Sequence, residues 1–228
     1  MDATDFYRTN FVRYAASHVK TGEKILDAAA GERPDELLFR HALYESCDFQ
    51  QDTASRHNFL CDIQDIPMPD ANYDAVLCIL ALDDVPQPQK CLLEFRRVLR
   101  SGGQLFISAP LNGRVHNHPY HFFHYSRFGL KLLFETAGFE IVQIAPWGGI
   151  FSCLSHFSYK LPPYIKSQYP LKDLSGILRP LARLFLFPLY GLAVVVLRWL
   201  FPLVCFYLDR MDHVRDFTLG YGCHVRKP

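Results

Sequence analysis

No charge of one sign dominates this chain. Lys and Arg number 24 and Asp and Glu 23, a formal net charge of +1 over 228 residues. That balance leaves no polyelectrolyte footprint, so a nucleic-acid partner is not expected. The seven cysteines, at 47, 61, 78, 91, 153, 205 and 223, contain no CxxC pair. An odd, scattered set argues against a disulfide framework and predicts reduced thiols in a cytoplasmic protein. The opening residues MDATDFYRTN hold no basic stretch followed by an apolar one, so no signal peptide is expected there. Internal repeats and low-complexity tracts are also lacking. Apolar residues are abundant, at 50% with 14% aromatic. That is enough for one well-filled α/β domain and an elaboration.

Glycine is scarce where a nucleotide-binding turn would want it. The stretch Lys24-Ile25-Leu26-Asp27-Ala28-Ala29-Ala30-Gly31-Glu32-Arg33-Pro34 is a short apolar run, an acid, a small-residue turn and a polar helix start. Small residues let a backbone approach a ligand, and a helix N-terminus offers unpaired N–H groups. Ahead of it, residues 4–19 predict a helix with Thr4 as N-cap and Phe11, Val12, Ala15, Ala16 and Val19 on one face. After it, a helix is expected over about Asp35–Ala42, with Pro34 at its first position. Asp48 closes a predicted strand about 20 positions after Asp27, the offset at which dinucleotide folds place a ribose-binding carboxylate.

Further strands are expected over about Phe59–Ile63, Tyr73–Leu80, Gln104–Ala109 and Phe139–Ala145, with helices over Gln87–Arg100 and Arg127–Ala137. Tyr73–Leu80 is almost continuously apolar, as for a parallel strand covered on both faces. Four histidines then stand within Val115–Arg127, at 116, 118, 121 and 124. Imidazole titrates near neutrality, so a general base is one reading, with His118 and His121 the preferred candidates. No metal site is assigned here, because no acid or cysteine stands among the histidines and Pro119 prevents one continuous helix.

The region 150–215 differs in character. Leu184–Leu197 and Trp199–Leu208 are apolar on either side of Arg198, and Pro180, Pro188 and Pro202 interrupt them, with Lys172, Arg179 and Arg183 upstream. A helical hairpin, or in-plane helices broken at Pro188 and Pro202, is expected to cover the carboxyl edge of the sheet, with an exposed apolar face for a membrane surface or a hydrophobic acceptor. A charge in mid-span argues against a single crossing. The end, about Leu219–Arg226, alternates Leu219, Tyr221, Cys223 and Val225 as a strand.

Three segments together resemble class I S-adenosylmethionine (SAM) dependent methyltransferases of the broad small-molecule type. The turn Asp27-x-Ala29-x-Gly31-x-Arg33 keeps one glycine of that family's Asp-x-Gly-x-Gly-x-Gly. Cys61–Asp70 followed by Tyr73–Cys78 is similar to its acid, Pro and apolar-strand pattern. Leu93–Pro110 is similar to its helix–Gly-Gly–strand stretch, and the closing Leu208–Tyr221 is shared with resembling bacterial sequences. Where the family often has an acid-His pair after strand 4, this chain has Asp83-Asp84. The resemblance implies a Rossmann-like doubly wound sheet of seven strands, six parallel and a seventh antiparallel between strands 5 and 6. It implies domains at 1–149, 150–215 (an apolar helical insertion or cap) and 216–228 (the returning strand), and a leading helix over the cofactor. It further implies SAM as cofactor, held by Asp27, Ala29, Gly31, Asp48, Asp62 and Ile63, with Asp62 or its successor at the adenine amine. The implied activity is methyl transfer to a small-molecule acceptor, hydrophobic or lipid-linked and preferably at oxygen. Peripheral membrane contact through 177–208 is also expected. The rival readings are a non-methylating protein on the same fold, with SAM-assisted other chemistry or a lost cofactor, and a membrane-associated scaffold.

Overall fold

The structure, a computed structural model, describes residues 2–33, 35–49, 57–168, 188 and 190–228. Pro34, Lys172, Arg179, Pro180, Arg183 and 184–187 lie outside the described residues. Two compact units are present, Tyr7–Trp147 with Gly220–Pro228 and Met1–Phe6 with Gly148–Leu219.

The first unit is built on one seven-stranded sheet. Its strands are β1 (Lys24–Ala28), β2 (Leu43–Asp48), β3 (Phe59–Leu60), β4 (Tyr73–Ile79), β5 (Leu99–Pro110), β6 (Glu140–Pro146) and β7 (Gly220–Arg226). They lie in the order β3-β2-β1-β4-β5-β7-β6. Neighbours from β3 to β5 pair in parallel, and β7 runs antiparallel to both β5 and β6. This is the expected doubly wound sheet, whose strand order reverses between β1 and β4 and so opens a crevice at their carboxyl ends.

Strand alternation distributes β4 between two cores. Val76 and Cys78 pack with Leu26, Ala28 and Leu105 on one face, covered by Leu92, Phe95 and Val98 of α2 (Pro88–Val98) and by Leu130 and Phe134 of α3 (Arg127–Thr136). Ala75 and Leu77 pack with Ile25 and Phe106 on the other, covered by Val12 and Ala15 of α1 (Ala3–His18). β7 contributes Tyr221, Cys223 and Val225 to the first face, in step with its period of two.

Several local expectations change. Among the described residues between β1 and β2 there is no α-helix, only a 3-10 turn at Glu36–Phe39, because so short a segment gives few helical bonds for the cost of nucleation. β3 stops at Leu60, since the Asp62 carboxylate accepts the Gln64 backbone N–H at 2.8 Å and turns the chain. α2 ends at Val98 and β5 starts at Leu99, running through Gly102 and Gly103 rather than beginning after them. The N-terminal cap of α1 comes from Asp2, which accepts the Thr4 N–H at 3.2 Å, and not from Thr4.

The second unit pairs α4 (Ile150–Gln168) with α5 (Tyr190–Met211). Pro202 does not break α5. The helix widens to a π turn at Val196–Leu200 just before it, which absorbs the missing N–H. Asp209 at one end of α5 accepts the N–H groups of Gly149 and Ser152 at 3.0 and 2.8 Å, while the Tyr190 hydroxyl at the other end donates to the Pro162 carbonyl at 3.2 Å. The two helices are therefore antiparallel. Arg198 lies over the Tyr159 ring at 4.2 Å, which satisfies the charge inside the apolar run. α5 is long and apolar enough to cross a membrane, and only 6% of its most apolar stretch is buried.

Candidate functional site

At the end of β1 the backbone makes an unusual turn. Ala29, Gly31 and Arg33 have φ of 58°, 52° and 55°. These are the three positions at which the resembling motif carries glycine, so the motif records a left-handed backbone at alternate residues. A negative φ at residue 29 would have made alanine costless there. The structure instead holds Ala29 left-handed, at a cost of about 1–2 kcal/mol. Arg33 is anchored outside the turn, donating to Glu36 at 2.7 Å with its guanidinium 5.5 Å from the Tyr44 ring centre.

A cleft of about 750 Å³ opens above this turn, within the range of small-molecule sites. Ala29, Gly31, Asp48, Asp62 and Ile63 stand on its wall. Asp48 accepts the Gly31 N–H through Oδ2 at 3.0 Å, so the acid at the tip of β2 braces the turn. The Asp62 carboxylate takes the Gln64 side-chain amide at 2.9 Å. Leu80, Ala81, Asp84, Val85 and Pro86 continue the wall with Asn117, His118, Tyr120 and Phe122, and the Tyr120 ring meets Phe49, next to Asp48, edge to face at 6.2 Å. An open groove of similar volume runs along α3 and β6, away from the carboxyl ends where this fold binds ligands.

Asp27 is not on the cleft wall. It lies beneath the turn, 4% exposed, and accepts the Tyr44 hydroxyl. Burial pushes its carboxyl up to about 7, against the opposing pull of the Tyr44 bond. Tyr44 escaped the sequence reading, although its place opposite Ile25 in the β1–β2 ladder puts it one strand from the motif.

The histidine loop divides. His118 is exposed on the cleft wall. His121 turns away from it, accepting the His116 backbone N–H through Nδ1 at 3.1 Å. The expectation that no acid joins these histidines fails. Asp83 and Asp84 follow β4, and β4 lies beside β5 in the sheet, so the two loops meet. Ligand-type atoms of Asp83, Asp84, His116 and His121 lie within 4.8 Å of one another. Adjacency of the two strand ends was the signal that could have found this. Burial pushes the Asp83 carboxyl up to about 6, with the neighbouring Asp84 charge adding to it. His124 is held below the usual imidazole range by burial.

Residues 40–107 match the family described as "Methyltransferase domain". A demethylmenaquinone methyltransferase of Paenarthrobacter aurescens (strain TC1) is 32% identical over 103 residues, a match spanning 41% of this chain and 41% of that protein. Among solved structures, the 4+2 cyclase SpnF superposes with a TM-score of 0.60 at 18% identity, over 97% of this chain and 80% of its own. The Burkholderia thailandensis 1,6-didemethyltoxoflavin-N1-methyltransferase, bound to 1,6-didemethyltoxoflavin and S-adenosylhomocysteine, superposes with a TM-score of 0.53 at 18% identity, over 61% and 70%. The fold is that of class I SAM-dependent methyltransferases, and residues 40–107 are similar to the domain of that class. The cofactor of that class is SAM, and a left-handed small-residue turn with acids at the tips of β2 and after β3 fits it.

Proposed function

We propose that the protein transfers the methyl group of SAM to a hydroxyl oxygen of a small acceptor with an apolar body, hydrophobic or lipid-linked. The observation that carries this is the polarity of the cleft. Acids and a small-residue turn share its wall with the apolar Phe49, Val85, Pro86, Tyr120 and Phe122 and with one exposed imidazole, His118. SAM supplies a methyl group already activated on a sulfonium. The chain's own task is then mainly to hold the acceptor oxygen in line, which can remove about 7–11 kcal/mol of barrier. Asp48 would orient the ribose and Asp62 with Ile63 the adenine. His118 would take the hydroxyl proton as the oxygen takes the methyl. The exposed apolar helix α5 supports peripheral contact with a membrane of an otherwise cytoplasmic protein, where a lipid-linked acceptor would be met.

The test is calorimetry with SAM and S-adenosylhomocysteine, followed by a screen of hydroxylated acceptors for S-adenosylhomocysteine release. Binding is expected to fall at least ~10-fold in Asp48→Ala, since each charge-assisted bond is worth about 1.5–3 kcal/mol. His118→Ala is expected to lower kcat by about 100-fold or more with SAM affinity kept. Absence of binding at millimolar ligand would sink the proposal. The structural likeness to a cyclase favours one second reading, SAM-assisted chemistry without transfer. Substrate turnover with no S-adenosylhomocysteine formed would support it instead.

A further inference from the structure

The loops after β4 and β5 are stitched together. The N–H groups of Phe122 and Phe123 donate to the Asp83 carbonyl at 2.9 and 3.2 Å, and the Tyr125 hydroxyl donates to the Leu82 carbonyl at 3.0 Å. This brings His116 against two acids. The Asp83 side chain is 1% exposed, yet among the described residues neither of its carboxylate oxygens has a hydrogen-bond partner on another residue. Asp84 uses Oδ2 to accept from Asn117 at 2.6 Å, while its buried Oδ1 has none.

The His116 ring lies with Nδ1 3.1 Å from the Arg114 carbonyl. A carbonyl only accepts, so Nδ1 carries a proton, and in the neutral form of the ring Nε2 presents a lone pair. That Nε2 lies 3.6 Å from Asp83 Oδ2 and 3.8 Å from Asp84 Oδ1. Three electron-rich atoms thus converge with no donor among them. These separations are long for an imidazolium–carboxylate bond, which is about 2.7–2.9 Å. They suit ligands sharing one ion, where metal–ligand bonds of about 2.0–2.2 Å set neighbouring donors roughly 3–4 Å apart.

We infer that Asp83, Asp84 and His116 bind one first-row divalent cation, with His121 as a fourth ligand. Mixed imidazole and carboxylate donors suit Zn²⁺, Mn²⁺ or Co²⁺ better than the all-oxygen shell of Mg²⁺ or Ca²⁺. Two carboxylates and two neutral rings balance the charge of the ion, which resolves the unpartnered Asp83. His121 joins by releasing its bond from the His116 amide or its Nε2 proton, so the other three form the core of the site. Asp84 and Asn117 stand on the cleft wall, so the ion would lie beside the cleft. There it would hold an acceptor oxygen and ease loss of its proton. That role rests on the methyl-transfer reading; the binding of the ion does not.

The test uses the full-length protein, stripped with chelator and titrated with Mn²⁺ followed by electron paramagnetic resonance, and with Zn²⁺ by calorimetry. One equivalent is expected to bind. Asp83→Asn, Asp84→Asn and His116→Ala should each weaken it at least ~10-fold, while His213→Ala, outside the cluster, should bind as the wild type does. Far-ultraviolet circular dichroism and SAM binding check each variant's folding. If Asp83→Asn does not fold, the other two variants carry the test. Stripped protein that binds SAM but takes up neither ion at 1 mM overturns the inference, as does uptake unchanged in the folded cluster variants. Ion uptake in a protein that does not bind SAM would leave the site standing and remove the transfer reading.

Discussion

The two units have similar apolar content and treat it in opposite ways. In the sheet unit, Ile25, Leu26, Val76, Phe95 and Phe106 are fully buried. In the helical unit, Trp199 is 70% exposed and Leu200, Leu203 and Tyr207 are more than half exposed. The sheet unit is held by burial. The helical unit is held largely by charged and polar joints at its helix ends. Asp209 is buried and caps the start of α4, Asp212 accepts the Ile150 N–H at 2.8 Å, and Asp2 receives both His156 and Lys160. Among the described residues of this unit few apolar side chains beyond Cys153 and Cys205 are buried, which leaves an apolar face for something else.

The largest expected effect tests that division directly. Phe95→Ala removes a fully buried ring and should cost about 3–5 kcal/mol in urea unfolding. Trp199→Ala, on the exposed helix, should change stability by no more than about 0.5 kcal/mol while reducing binding to lipid vesicles. Equal losses in the two variants would mean that α5 is covered in the folded protein.

The joints come next. Asp209→Ala leaves the Gly149 and Ser152 amides without their acceptor, at a cost of about 1–3 kcal/mol. The loss should appear as faster hydrogen exchange in α4, with β4 unchanged. Gly149→Ala should act at the same joint, because a Cβ there would lie 2.2 Å from Asp212 Oδ2. If exchange rises equally in β4, the helical unit is part of the same cooperative core.

The two units also differ in the sign of their pH response. Burial raises the Asp2 carboxyl, but hydrogen bonds from His156 and Lys160 outweigh it and leave Asp2 well below the ordinary 3.8. Its contribution is therefore present above pH 3.8 and lost as pH falls below it. Asp27 lies the other way, pushed from 3.8 up to about 7 by burial. The folded state then holds a proton the unfolded chain has released, so stability falls as pH rises from about 3.8 through 7. Asp27→Asn should flatten the neutral limb and Asp2→Asn the acidic limb of a stability–pH profile. Exchanged effects would overturn both assignments.

Much of the sheet unit is legible in the sequence because its chemistry is local. The apolar run of β4, the alternation of β7 and acids at strand tips each declare themselves within a few residues. Asp48 and Asp62 follow from spacing along single segments. Contacts between segments are harder to read. Asp83 and His116 meet only because β4 and β5 are neighbours, and nothing near either residue records it. The π turn that carries α5 through Pro202 is invisible for a different reason. Proline signals a break, and only the geometry of the preceding turn shows that the break is absorbed.

The smallest effects concern the turn, where alanine and arginine conceal a backbone that glycine would have announced. Ala29→Gly removes a left-handed Cβ cost of about 1–2 kcal/mol and adds back about 0.5–1 kcal/mol of unfolded-chain entropy. A net gain of about 0.5 kcal/mol follows. Gly31→Ala runs in reverse and should lose about 1 kcal/mol. No atom lies within 4 Å of the added Cβ, so the loss is strain and not collision. That open space is the cleft itself, and the methyl would stand where the cofactor must come close to the backbone. Gly31→Ala should therefore weaken SAM binding by more than its stability loss accounts for, while Ala29→Gly leaves affinity unchanged or improved. Thermal unfolding with and without SAM separates the two quantities. A Gly31→Ala protein that binds SAM as the wild type does would show that the turn shapes the fold without touching the cofactor.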